Sequence, residues 1–155
     1  MKNIWKNWLE ILTGMSLAIV VLATFTQVLF RFVFKIPAPW TEEVTRIAFA
    51  YMVFLGAVLG AKHNLHLSVD ILGNAPAKLR KIVLSIGYFA SILFISIFSY
   101  YGLLHSINSK VQTTPTMEIS LFYIYLILPF SGVLMAYYLV KNMISDLRNQ
   151  EVDSQ

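Results

Sequence analysis

Arg31, Glu42, Glu43 and Arg46 are the residues best placed to do chemistry in this chain. They are charges set among apolar residues: 57% of the sequence is hydrophobic, 13% is charged, and the mean hydropathy is +0.67. Charge at the edge of a bilayer, or inside it, is costly and is kept where a partner, a cavity or the interface offsets the cost. Glu42 and Arg46 are four apart in the order that favours a helical ion pair, with Arg46 one turn deeper. Three roles fit such a cluster. The carboxylates can couple protons or drugs, as in small four-helix exporters; the charges can meet a partner; or the ion pair can only fix helix depth at headgroup level. Both glutamates fall in the first turn of an apolar segment, about 1–4 Å along its axis. That depth suits an interface anchor better than a proton relay. Arg31, near the end of the preceding segment, can snorkel to headgroups or meet Glu42 or Glu43 across a short loop.

The three histidines, His63, His66 and His105, raise the question of haem. A haem-bearing membrane anchor needs axial histidines on facing helices. His63 and His66 lie at one end of the second apolar segment. His105 falls near the opposite end of the third, roughly a membrane thickness away. They read as surface polar residues, and no cofactor is expected. There is no cysteine, which removes disulfides and thiolate chemistry. No Ser/His/Asp set, zinc spacing or phosphate loop appears, so the sequence gives no basis for an enzyme.

The elements that hold these residues are membrane helices. Four segments, at about 11–34, 40–61, 82–107 and 120–143, each reach the roughly 20 apolar residues a spanning helix needs. Lipid offers no partner to bare backbone, so the spans must be helical. The fold class is all-α: a single four-helix membrane domain over 1–155 with amphipathic interfacial helices. Residues 1–12 place Ile4, Trp5, Trp8 and Leu9 on one face and Lys2, Lys6 and Glu10 on the other. This pattern suits a helix lying among lipid headgroups, with Trp5 and Trp8 as anchors. The alternative is a first span that starts early and tilts. Residues 64–72 form a second candidate surface helix, in which His66 and Asp70 are four apart, and 144–155 form a tail.

Short connections complete the plan. Pro37 and Pro39 force an extended path before Trp40, which sits where aromatic belts sit. Thr41 is expected to cap the second span, and Thr114 with Pro115 to open the fourth, with Glu118 at its mouth. The two hairpins hint at a repeat, Lys35…Pro39…Glu42 beside Lys110…Pro115…Glu118. Gly56, Ala57 and Gly60 form a GxxxG stretch that marks a tightly packed face of the second span, against a partner inside or outside the chain. Basic residues concentrate on the side holding both termini and the middle loop, which places the termini in the cytoplasm. They are spread along the membrane edge rather than clustered, which argues against nucleic acid as a partner.

The ordered run Arg31 … Pro39-Trp40-Thr41-Glu42-Glu43 … Arg46 … Gly56-Ala57 … Gly60 … His66-Leu67-Ser68-Val69-Asp70 resembles the small, DctQ-type membrane subunit of TRAP (tripartite ATP-independent periplasmic) transporters. The four-span plan resembles that subunit throughout. Asn64-Leu65 departs from the pattern, where more polar or basic residues are expected. The resemblance implies a bacterial inner-membrane importer in three parts. A periplasmic binding protein captures an organic acid, with sialic acid one candidate. A large TRAP membrane subunit carries it in an elevator motion coupled to sodium. The small subunit is implied to hold no substrate or ion site, to pack against the large one as a fixed scaffold and to help dock the binding protein. Arg31, Trp40, Glu42 and Glu43 are then expected on the periplasmic side near that docking surface, and His66 and Asp70 in the cytoplasmic loop.

Overall fold

The computed structural model describes residues 7–63 and 77–152. Helix α1 spans Trp8–Leu29 and continues into a wider π-helical turn, Phe30–Phe34. Helix α2 spans Pro39–Lys62, α3 Ala77–Asn108, the short α4 Leu121–Tyr125, and α5 Ile127–Val152. Four stretches are long and apolar enough to cross a membrane: Trp8–Phe34, Pro39–Lys62, Ile82–Asn108 and Leu121–Asp146. These coincide closely with the four expected spans.

The described part of the expected amino-terminal surface helix, Trp8–Leu12, belongs to the first span. Helix α1 runs through Gly14 without a break. Leu9 is fully buried against Leu55, Val58 and Ala61 of α2, and Trp8 packs beside it. Burial against α2 therefore favours the alternative of an early-starting span over these residues. Trp5 and the expected helix at 64–72, including His66 and Asp70, lie outside the described residues.

The helices pack in the order α1–α2–α5–α3. The inner pair, α2 and α5, buries the most of its surface, and α1 the least. Leu9, Leu55, Val58, Ala61, Ile127 and Met135 form one core cluster, and Leu84, Tyr88 and Leu139 form a second between α3 and α5. Lipid tails are as apolar as leucine, so close fit rather than hydrophobicity must hold such helices together. Two glycines show that fit between α3 and α5. A Cβ on Gly132 of α5 would stand 2.8 Å from the Ser99 Cβ of α3, and one on Gly102 of α3 would stand 2.9 Å from the Leu128 Cβ. Across the same contact the Ser99 hydroxyl donates to the Pro129 carbonyl at 3.3 Å.

The ends follow local chemistry. Lys35, in the left-handed region at φ 54°, closes the first span; its N–H and that of Ile36 both reach the Phe30 carbonyl. Pro37 then prevents the helix from resuming. Pro39 opens α2 at its first turn, where a missing N–H costs nothing. Thr41 does not cap α2 as expected. The helix has already begun, and the buried Thr41 hydroxyl donates back to the Ala38 carbonyl at 2.6 Å. Nor do Thr114 and Pro115 open the fourth span. Ser120 caps α4 instead, its hydroxyl accepting from the Phe122 N–H. Pro129 cannot donate to the Tyr125 carbonyl, and the helix steps at Leu126 between α4 and α5.

Candidate functional site at the Glu43 end

Residues 109–120 fold into a tight turn between α3 and α4. A bridge pairs Thr113 with Ser120, and the Thr114 N–H reaches the Ile119 carbonyl at 2.9 Å. Glu118 takes a left-handed conformation, φ 53°, at its tip. Thr114 is buried, and its side-chain oxygen accepts from the Ile119 N–H.

Glu43 reaches this turn from the first turn of α2. Its Oε1 accepts from the Thr116 N–H at 2.7 Å and its Oε2 from the Met117 N–H at 3.0 Å. Two parallel charge-assisted bonds fix both position and direction. The carboxylate is thereby a structural strut between the second span and the loop before the fourth.

Glu42 points elsewhere and pairs with Arg46 at 3.2 Å, as the four-residue spacing predicts. Both side chains are exposed, at 63% and 80%. An exposed pair of this kind contributes little to stability. Arg31 meets neither glutamate. It is exposed, lies 5.8 Å from the Phe32 ring centroid, and shares with Lys35, Gln27 and Glu42 the rim of a shallow groove between the first two spans. Trp40 stands exposed at the same level. The structure thus gathers Arg31, Trp40, Glu42, Glu43 and Arg46 at one end, joined as one ion pair and one strut rather than as a single network.

Beside the strut lies a cavity of about 490 Å³ between α2, the end of α3, the loop and α4. Arg46 and Thr113 stand on its lining with Ile47, Ala50, Phe54 and Leu128. His105 also lines it and lies tilted against Tyr125, with ring centroids 4.6 Å apart.

The opposite end is held by a different set. Lys62 pairs with Glu10 at 2.6 Å, and His63 Nε2 lies 3.8 Å from the same carboxylate oxygen. Asn142 of α5 donates to the Ala61 carbonyl at 2.7 Å, and Tyr88 donates to Asp146. His63 and His105 therefore belong to opposite ends and cannot share one haem. Among the described residues, no group of three or more His, Asp or Glu side chains is placed to hold a metal ion.

Gly56 is singled out by its GxxxG spacing, yet a Cβ placed there would meet nothing within 4 Å. Among the described residues, no other helix closes on it. Close approaches do occur at Gly102 and Gly132. Their signal was the small pair Ser99 and Gly102, three apart, and the Ser131-Gly132 pair on α5. Neither reveals its partner helix. The Glu43 strut and the Glu10–Lys62 pair likewise join segments too far apart in sequence for any local spacing to announce them.

Comparison with known proteins gives a consistent result. The model of the family described as tripartite ATP-independent periplasmic transporters, DctQ component, matches residues 20–149. A Haemophilus influenzae protein named a TRAP transporter small permease protein is 34% identical over 142 residues, covering 90% of this chain and 86% of its own length. The C4-dicarboxylate TRAP transporter small permease protein of Vibrio cholerae is 40% identical over 74 residues, 47% of this chain and 32% of its own length. A sialic acid TRAP transporter permease protein of Haemophilus influenzae is 28% identical over 133 residues, which are 84% of this chain but 22% of that protein.

Proposed function

The chain belongs to the DctQ component family of tripartite ATP-independent periplasmic transporters, and from that premise we propose that it is a non-transporting scaffold subunit of a sodium-coupled importer of organic acids. The family is a transporter component and not an enzyme, and the chain is a multi-pass inner-membrane protein. In the proposed complex it packs against a large membrane subunit and helps to seat the periplasmic binding protein.

One observation carries this reading. A stretch similar to this chain makes up 22% of a longer permease protein, so a chain of this kind has a natural neighbour several times its size. Two features of the chain support it. The Glu43 strut ties α2 to the turn before α4, which suits a fixed element better than a moving one. On α2, Phe49 and Val53 are exposed and Gly56 is open, at the spacing of one helix face. Small residues on a lipid-facing helix let a second backbone approach. That face is the proposed seat of the large subunit, and Arg31, Trp40 and Glu42 face the periplasm in the same reading, with both termini cytoplasmic.

The relatives' names divide between C4-dicarboxylates and sialic acid, and the dicarboxylate relative has the higher identity. The proposed substrate class is therefore an organic acid, with sialic acid as one member.

The test is a mild-detergent pull-down of the tagged chain from its native membrane. The expected result is a larger multi-span protein in near-equal amount, and no uptake by liposomes holding the chain alone. Recovery of the chain by itself, or uptake without a partner, overturns the proposal.

A further inference from the structure

The cavity beside Glu43 runs down the second span, into the membrane rather than along its surface. Its α2 wall descends from Arg46 through Ala50 to Phe54, a fall of about 12 Å at the helical rise. One leaflet of the hydrocarbon core is about half of ~30 Å. A groove that opens at interface level and ends near mid-bilayer has the length of one leaflet. Its deeper wall is apolar: Ile47, Ala50 and Phe54 on α2 and Leu128 on α5. Its volume of about 490 Å³ falls within the range of ligand sites.

The mouth is polar and carries a cation. Glu43 does not compete there for an incoming group, because both its oxygens are held by the Thr116 and Met117 amides. Arg46 gives one nitrogen to Glu42 at 3.2 Å, and its side chain is 80% exposed. A guanidinium has five N–H donors, and its planar fork matches phosphate. The Thr113 position lies on the same lining. A cation at headgroup depth over an apolar slot one leaflet long is complementary to a molecule with a phosphate at one end and a chain at the other.

The geometry points to a bound phospholipid: one acyl chain in the slot between α2, α4 and the start of α5, and the phosphate on the Arg46 guanidinium. This inference requires that the chain be embedded in a bilayer. It does not depend on the transport reading.

The experiment uses the full chain with its co-purifying membrane proteins, in nanodiscs containing phosphatidylglycerol with a diazirine at the acyl terminus. Irradiation followed by peptide mass mapping is expected to place adducts on Phe54 and Leu128 well above those on Val133, an exposed side chain of α5 outside the slot. Ala50→Trp fills the slot without changing charge, and Arg46→Gln removes the phosphate contact. Each is expected to lower slot labelling by about fivefold or more, the scale of one lost charge-assisted contact. Arg46→Lys, which keeps the charge, should retain more labelling than Arg46→Gln. Circular dichroism confirms that each variant folds. Equal labelling of Phe54 and Val133, or labelling indifferent to Ala50→Trp, overturns the site. Labelling indifferent to Arg46→Gln overturns the phosphate contact. Slot labelling seen in the isolated chain but lost in the complex would assign the cavity to a partner's side chains and overturn the lipid.

Discussion

The Glu43 carboxylate and the Thr116 backbone N–H, 73 residues apart in sequence, meet at 2.7 Å. The contact decides which of two roles the glutamate pair plays. A coupling carboxylate must be free to take and release its charge. One whose two oxygens each accept a backbone amide is already committed to the loop it holds. The two adjacent acids have thus diverged: Glu42 faces outward to Arg46, and Glu43 turns inward to hold a loop.

Glu43→Ala should therefore release the turn without unfolding the spans. Hydrogen–deuterium exchange at the Thr116 and Met117 amides is expected to rise sharply, while exchange within α2 below Ala48 stays slow. Glu43→Gln keeps one acceptor oxygen and should protect one amide of the two. Exchange at both amides that is unchanged in Glu43→Ala would show that the turn holds itself. In the complex, Glu43→Ala is expected to weaken assembly or uptake more than His63→Ala. His63 stands at the other end of the molecule, 3.8 Å from Glu10.

Glycine positions separate internal packing from partner packing. Gly132→Ala places a methyl 2.8 Å from the Ser99 Cβ and 3.3 Å from its Cα, where backbone must move. Overpacking of this kind costs about 1–3 kcal/mol. It should appear as a lower melting temperature of the detergent-solubilised chain. Gly56→Leu points into open space among the described residues and should leave that temperature alone. If the open face of α2 seats the large subunit, Gly56→Leu reduces co-purification while Gly132→Ala reduces stability. Loss of both properties in both variants would remove the distinction.

The same contrast shows what the sequence could and could not express. The four spans were legible because the need for about 20 apolar residues is written locally. The first span's end at Phe34 and the second's start near Trp40 were legible because Pro37 and Pro39 punctuate them. The Glu42–Arg46 pair was legible because helical spacing alone brings it together. The Glu43 strut was not, since the turn that needs it lies in another hairpin. Thr114-Pro115 reads locally as a helix start, yet the Thr113–Ser120 bridge uses that stretch as a turn and passes the cap to Ser120. Gly56 was more conspicuous than Gly102 or Gly132 because GxxxG spacing is visible in one helix, whereas close approach is a property of two.

At the far end, Asn142 donates to the Ala61 carbonyl, one of the last acceptors of α2. A helix leaves its final carbonyls without intrahelical donors, and in a membrane protein few other donors exist nearby. Asn142→Leu removes the donor but keeps the volume. It is expected to cost about 1 kcal/mol and to speed exchange in the last turn of α2, leaving the Glu43 end unaffected. An unchanged exchange profile at Lys62 and His63 would show that water replaces the amide.

The pair Glu10–Lys62 fastens α1 to the end of α2, with side chains 33% and 22% exposed. One carboxylate oxygen takes the Lys62 ammonium at 2.6 Å; the other, Oε2, is buried without a hydrogen-bond partner among the described residues. That asymmetry limits the net gain, because a buried oxygen without a full hydrogen-bond partner is incompletely compensated for the water it loses. The expected coupling in a double-mutant cycle of Glu10→Gln and Lys62→Met is about 1 kcal/mol. This lies well under the ~3–5 kcal/mol seen when one partner of a fully buried pair is removed. Lys62→Met alone should cost more than the double variant, since it leaves the Glu10 charge half-buried with only His63, at 3.8 Å, near it among the described residues. Thermal unfolding of the four proteins in one detergent measures the cycle. If Lys62→Met is no worse than Glu10→Gln with Lys62→Met, the ammonium is not what holds the amino-terminal end of α1 to α2, and the buried Leu9 contact is left to do so.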